Sequence, residues 1–282
     1  MPAAHVALTI AGSDPSGGAG IQADLKTFHQ FGVYGEAVIT LLTVQNTIRA
    51  SRVECLDPEL VLEQLWAVLE DIPPAAAKTG ALGSPAIVRA VARAAAQFSF
   101  PLVVDPVMIS KHGSPLLPEE ARIALVSDLI PHATLITPNL HEAAALTGIG
   151  VSTPASMREA ALRLRQMGAR AVLVKGGHLE GSALDILLAG DTFYDFPAAH
   201  IDTRHTHGTG CTYSAAITAE LARGLDLAGA VTNAKAFITE AIRTNPGLGH
   251  GSGPVNHWAR PATPPGKAAS SRKSDSRIDP AR

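Results

Sequence analysis

Short apolar runs alternate with amphipathic stretches along almost the whole chain. Residues 6–12, 37–45, 75–82, 102–108, 134–138 and 171–177 form runs bounded by turn residues. Several are apolar at consecutive positions, the pattern of strands buried on both faces. Helical periodicity falls between them. Asp57-Pro58-Glu59 offers an N-cap carboxylate and a first-turn proline, and Leu62, Leu65, Trp66 and Leu69 follow at helical spacing. Residues 157–167 form another amphipathic stretch, stopped by Gly168. This alternation predicts an α/β domain with a mainly parallel sheet and helices on both faces. Residues 184–188, Gly190-Asp191 and residues 192–196 predict a small antiparallel hairpin. Helices are expected after it over 210–223 and 227–245. From Ala259 onward Pro, Ala, Ser, Lys and Arg dominate. A single domain over 1–258 and a disordered tail over 259–282 are therefore expected.

Composition narrows the function classes. The chain is 46% hydrophobic but only 4% aromatic, so its core must be mostly Ala, Val, Leu and Ile. A net charge of -2 and a pI near 6.6 offer no basic footprint for nucleic acid, and no such partner is expected. No run approaches the roughly 20 apolar residues of a membrane span, and residues 1–10 show no signal-peptide pattern. Cys55 and Cys211 lie far apart, which argues against a disulfide framework and for a reducing, cytoplasmic setting. The 11 histidines show no zinc-ligand spacing.

Candidate chemistry gathers at strand ends. The first glycine-rich loop runs from Gly12 through Ser13-Asp14-Pro15-Ser16-Gly17-Gly18-Ala19 to Gly20 and leads into a helix from Ile21. It fits neither a dinucleotide fingerprint, because several residues separate Gly18 from the strand, nor a P-loop, because Leu25 precedes Lys26-Thr27. The second glycine-rich segment runs from Asp202 to Thr212. Its Gly208-Thr209-Gly210 opens a helix, where unpaired backbone N–H groups and the positive dipole end form an anion site. Cys211 sits in that first turn, where the helix field is expected to favour its thiolate. Asn139 and Glu142, three apart at a helix start, can face one site and suit Mg²⁺ held largely through waters, or can simply cap the helix. Asp105 and Lys175 each end an apolar strand, and Lys175 could meet nucleotide phosphates.

These segments, in this order, resemble the bacterial hydroxymethylpyrimidine/phosphomethylpyrimidine kinases of thiamine biosynthesis, in the ribokinase-like superfamily. Residues 7–27 carry the similarity nearly residue for residue. Val44-Gln45-Asn46-Thr47, Asp105-Pro106-Val107-Met108, Ile136-Thr137-Pro138-Asn139, Val174-Lys175-Gly176-Gly177-His178 and residues 206–212 continue it. The resemblance implies a three-layer α/β/α fold with a mainly parallel central sheet, ATP and Mg²⁺ as cofactors, and a homodimer. It implies phosphorylation of 4-amino-5-hydroxymethyl-2-methylpyrimidine and then of its monophosphate. Cys211 matches the position of the catalytic base, with Gly208, Thr209 and Gly210 around it. Gln45 matches the residue that reads the pyrimidine edge, since an amide presents a donor beside an acceptor. Asp24, Gly12, Ala19, Gly20, Val44, Ala81 and Val107 match further substrate contacts. Lys175, Thr206 and Asn139 match nucleotide contacts, and Asp105 with Glu142 the metal site. Ala81 stands where family members often carry Met, which leaves room beside the ring. A vitamin B6 kinase is the alternative enzyme, and a catalytically silent pyrimidine sensor the alternative of another class.

Overall fold

The structure is a computed structural model that describes residues 4–109, 113, 116–177 and 183–260. Among the described residues nine strands form one sheet in the order β3-β2-β1-β4-β5-β6-β7-β8-β9. They are β1 (Val6–Ser13), β2 (Tyr34–Gln45), β3 (Ala50–Cys55), β4 (Ala76–Thr79), β5 (Leu102–Val104), β6 (Leu135–Ile136), β7 (Ala171–Gly176), β8 (Leu184–Ala189) and β9 (Thr192–Phe196). The block from β2 to β7 is parallel, while β3 pairs antiparallel with β2, and β8 and β9 close the other edge antiparallel.

The helices are α1 (Gly20–Gln30), α2 (Pro58–Asp71), α3 (Pro85–Ala95), α4 (Glu119–Ala124), α5 (Leu140–Thr147), α6 (Pro154–Gln166), α7 (Thr209–Ala222) and α8 (Leu227–Arg243). Strand alternation sends Leu8, Ile10 and Val104 into one core with residues of α2 to α6. The opposite sheet face, carrying Ala7, Ala76 and Val103, is covered by α1, α7 and α8. The three-layer α/β/α architecture is thus observed.

Local chemistry explains the element ends. Asp57 caps α2 by accepting the Glu59 N–H, with Pro58 in the first turn. The run at 102–108 keeps only Leu102–Val104 as strand, because Pro106 has no N–H for a ladder. The strand expected over 37–45 begins at Tyr34, whose register partner is Val6. No apolar pattern marks β3 in the sequence, because its Ser51, Arg52, Glu54 and Cys55 are exposed and pack no core. At the C-terminus Ala259 is buried beside α7 and α8, and its carbonyl accepts from Gln30 Nε2 at 3.0 Å. Packed chain therefore reaches one residue into the expected tail, and residues 261–282 lie outside the described residues. No helix among the described residues is long and apolar enough to cross a membrane.

Glu36 on β2 is a local conflict away from the strand ends. It is 9% exposed, and its Oε2 has no hydrogen-bond partner among the described residues. Burial, with Asp71 nearby, raises its carboxyl to about 7. A carboxyl raised on folding stabilises at low pH, and that contribution is lost as pH rises through the folded value. Glu36→Gln should therefore raise Tm by a few degrees at pH 8 and change it little at pH 5, as measured by thermal unfolding.

Candidate active site

The site forms at the C-terminal ends of the parallel strands, where open α/β sheets hold their ligands. After β1 the chain makes a loop organised by Asp14. Its Oδ1 accepts the Ser16 N–H at 2.8 Å, and its Oδ2 accepts the N–H groups of Gly18 and Ala19 at 3.2 and 2.9 Å. The same Oδ2 lies 2.8 Å from His207 Nε2. Burial works against an ionised Asp14, but hydrogen bonds from His207 and Ser16 prevail and hold its carboxyl at about 2. An ionised carboxylate only accepts, so His207 Nε2 carries the hydrogen in this pair. The pair ties the first glycine loop to the second across 193 residues of sequence.

The loops also touch directly. Gly208 has φ 78°, and a Cβ there would overlap the Gly18 carbonyl oxygen. Gly20 has φ 57°, and its Cβ would overlap the Gly12 carbonyl oxygen. Neither α1, capped by Ala19, nor α7, capped by Gly208, has a side-chain cap. The Gly20 N–H goes to the Cys211 sulfur and the Thr209 N–H to the Thr206 carbonyl at 3.3 Å. No side chain caps the other first-turn N–H groups, and both helix starts line the same cavity.

Lys175, at the end of β7, stands beneath this point. Its Nζ would be 3.3 Å from a Cβ on Gly210, and it donates to Asp105 Oδ1 at 2.9 Å. Asp105 Oδ1 also accepts from Thr137 Oγ1 at 3.1 Å, and its Oδ2 accepts from Ser214 Oγ at 3.3 Å. Burial works against ionisation of Asp105, but Lys175 and Lys78 together hold the carboxyl below its usual value. Asn139 and Glu142 form a reciprocal capping box on α5 while also lining the cavity. Burial raises the Glu142 carboxyl to about 7, against the pull of Lys175.

Cys211 lies between the loops. The Gly20 N–H hydrogen-bonds its sulfur, yet burial outweighs that bond and the Lys78 charge and pushes the thiol up to about 11. The thiolate expected from the helix field is therefore not the resting form, because the desolvation cost of an anion here exceeds the dipole's effect. Behind the thiol, Lys78 on β4 donates to Asp24 Oδ1 at 2.8 Å, and Thr9 Oγ1 donates to Oδ2 at 2.6 Å.

Most of the sequence-predicted residues converge. Gly12, Ala19, Gly20, Gln45, Ala81, Asp105, Val107, Asn139, Glu142, Lys175, Thr206, Gly208, Thr209, Gly210 and Cys211 line one cavity of about 240 Å³. A second cavity of about 480 Å³ adjoins it and shares Asn139, Lys175, Thr206, Thr209 and Gly210. Three expectations change. Asp24 is fully buried with both oxygens engaged, so it supports the cavity floor and is not a contact. Val44 is 56% exposed and faces away, because Thr43 and Gln45, on the other side of β2, point inward. Asp105 has Oδ1 committed to Lys175 and Thr137, while its Oδ2 shares the Ser214 hydroxyl with the Cys211 carbonyl, so its first role is to hold Lys175. Asp14, His207 and Lys78 were assigned no role from sequence. The Asp14-Pro15-Ser16 turn signal could have located the first. Nothing local points to the others, whose partners are distant in sequence.

Phosphate-ready helix starts at the sheet's carboxyl edge, beside a ring-sized cavity and a larger one, define a ribokinase-like small-molecule kinase. The family model of phosphomethylpyrimidine kinase matches residues 14–256, and the chain belongs to that family. It is 47% identical over 258 residues to the hydroxymethylpyrimidine/phosphomethylpyrimidine kinase of Haemophilus influenzae, covering 89% of this chain and 96% of that one. The crystal structure of a Clostridium difficile phosphomethylpyrimidine kinase superposes with a TM-score of 0.76 at 46% identity, covering 84% of this chain and 99% of that one. An ADP complex of Bacillus subtilis pyridoxal kinase superposes with a TM-score of 0.85 at 41% identity, covering 91% and 98%.

Gly208→Ala combines a left-handed strain of about 1–3 kcal/mol with the collision against Gly18. It should lower Tm and cut kcat/KM at least tenfold. Gly224→Ala, at φ 88° with open space around it, should lower Tm without lowering kcat. Equal kinetic effects of the two would show that the loop contact is dispensable.

Proposed function

We propose that this chain transfers the γ-phosphoryl group of ATP to the hydroxymethyl oxygen of 4-amino-5-hydroxymethyl-2-methylpyrimidine, and then to the resulting monophosphate, for thiamine biosynthesis. The observation that carries this reading is the shared wall. Asn139, Lys175, Thr206, Thr209 and Gly210 border both cavities, so a ring in the smaller and a nucleotide in the larger would meet at the start of α7. Gln45 reaches the smaller cavity from β2, with an amide that complements an aminopyrimidine edge.

Cys211 is assigned as proton acceptor. Its thiol first loses a proton to solvent, and the thiolate takes the hydroxyl proton as the new O–P bond forms and ADP leaves. The Gly208–Cys211 amides stabilise charge on the phosphoryl group in transit, and Lys175 faces the same oxygens. Mg²⁺ held mostly by waters and phosphates needs only one or two protein oxygens. Glu142 and Asn139 would hold the ion through water, and when bound it supplies charge neutralisation on the phosphates.

The domain comprises residues 1–258 together with Ala259, in a cytoplasmic homodimer. Exposed Leu42, Val44 and Ile48 on the β2/β3 hairpin support the dimer. Pyridoxal is a second substrate reading, favoured by small Ala81 in the cavity wall and by the pyridoxal kinase superposition. Measuring ATP consumption with the pyrimidine alcohol, its monophosphate and pyridoxal side by side tests both readings. Transfer to none of them would leave a binding protein.

Gln45→Leu should raise KM for the pyrimidine far more than KM for ATP, by an amount equivalent to about 1–3 kcal/mol. Equal effects on both would make Gln45 structural. Cys211→Ala should lower kcat about 10²–10⁴-fold with little change in either KM. With the thiol held near 11, log kcat/KM should climb with slope near one from about pH 8 to 9.5 in the parent enzyme. It should flatten in Cys211→Ala. A parent profile flat over that range would remove the thiolate from the rate law.

A further inference from the structure

Packing alone does not require a lysine at position 78. Lys78 and Asp24 are both fully shielded from water, and replacing such a pair by apolar residues of similar volume is often neutral or stabilising. A charge retained there invites a use. Lys78 lies directly opposite Thr9 in the β1/β4 register, so both side chains enter the layer of α1 and α7 together. Each takes one oxygen of Asp24.

Asp24 lies one turn beyond Gly20, whose N–H holds the Cys211 sulfur. One helix therefore carries both the thiol's hydrogen-bond donor and the anchor of the ammonium. Helix α7, which presents Cys211, packs on α1 and β4 alike. The charged groups facing the sulfur are Lys78 from β4, Asp24 from α1, Asp105 after β5 and Lys175 from β7. Lys175 is already paired with Asp105 at 2.9 Å. Lys78 is the cation that most opposes the effect of burial on the thiol. Burial would lower the Lys78 ammonium, but Asp24, Cys211 and Asp105 keep it above its ordinary value, so it stays charged.

Resting on the assignment of Cys211 as proton acceptor, we infer that Lys78 is a positioning residue for the reaction. Anchored by Asp24 and Thr9, its ammonium keeps a fixed positive charge behind Cys211 and makes the thiolate reachable in a site otherwise too dry for it. Lys78 touches no substrate. It acts only through the sulfur.

The test uses the full chain with Cys55→Ser, so that Cys211 is the only thiol. The rate of Cys211 alkylation by iodoacetamide is followed by peptide mass spectrometry from pH 7 to 10, alongside kcat and both KM values. Lys78→Met and the double variant Lys78→Met/Asp24→Leu are compared with the parent. The double variant leaves no lone buried charge, so it serves where the single one fails to fold. Lys78→Met should alkylate at least about tenfold more slowly at each pH, as a thiol pKa raised by one unit or more requires, and the double variant, which also loses the opposing Asp24 carboxylate, at least about threefold more slowly. Their kcat should fall by similar factors with KM for ATP within about twofold. Alkylation within about twofold of the parent in the folded double variant would overturn the inference. Slow alkylation with kcat preserved, together with an active Cys211→Ala, would overturn the base assignment and with it the catalytic half of the inference, leaving only the ammonium's hold on the thiol.

Discussion

Gly208 can take its φ of 78° against the Gly18 carbonyl oxygen only because it lacks a Cβ, and this contact brings two loops from opposite ends of the domain together. The Asp14–His207 pair at 2.8 Å holds them there. Once they touch, the starts of α1 and α7 converge on one cavity, each without a side-chain cap. Beyond the Gly20 and Thr209 N–H groups, which go to the Cys211 sulfur and the Thr206 carbonyl, the first-turn donors cannot pair with each other, so their convergence suits an anion. Cys211, the Gly20 amide and Lys175 take their places from this arrangement.

The electrostatics follow from how dry that junction is. Burial raises the Cys211 thiol to about 11 and the Glu142 carboxyl to about 7, while the His207 and Ser16 bonds keep Asp14 at about 2. These groups share one small region, and what separates them is the number of donors each receives. Phosphoryl transfer asks chiefly for positioning and for charge stabilisation at the moving group, and only modestly for a strong base. A thiol ionised with difficulty but backed by a fixed ammonium is compatible with that demand. Two buried ion pairs, Lys78–Asp24 and Lys175–Asp105, place cations on either side of the α7 start.

Likeness to both a phosphomethylpyrimidine kinase and a pyridoxal kinase has a simple physical basis. The phosphate-handling half of the site is backbone and strand-end chemistry that any alcohol-bearing ring can use. Gln45, Ala81 and Val107 line the ring-sized cavity, and the proposed reading gives discrimination between rings to them. In that proposal small Ala81 relaxes the steric limit and Gln45 supplies the polar match.

The fold was legible in the chain because its strands announce themselves. Runs such as Leu8–Ile10 and Val103–Val104 are buried on both faces, and glycines mark the turns between elements. The anion loop, Gln45 and the Asn139/Glu142 pair were legible for a related reason, since strand ends and helix starts are local features. The outer strand Ala50–Cys55 was not, because an exposed edge strand needs no apolar pattern. Nor did local sequence reveal that Asp24 is spent on Lys78, that Asp105 is spent on Lys175, or that Val44 faces outward. Those outcomes depend on partners 54 and 70 residues away and on strand register. The Cys211 thiol makes the same point. Its place in a helix first turn is set by sequence, but its ionisation is governed by desolvation, which exists only once the layers close around it.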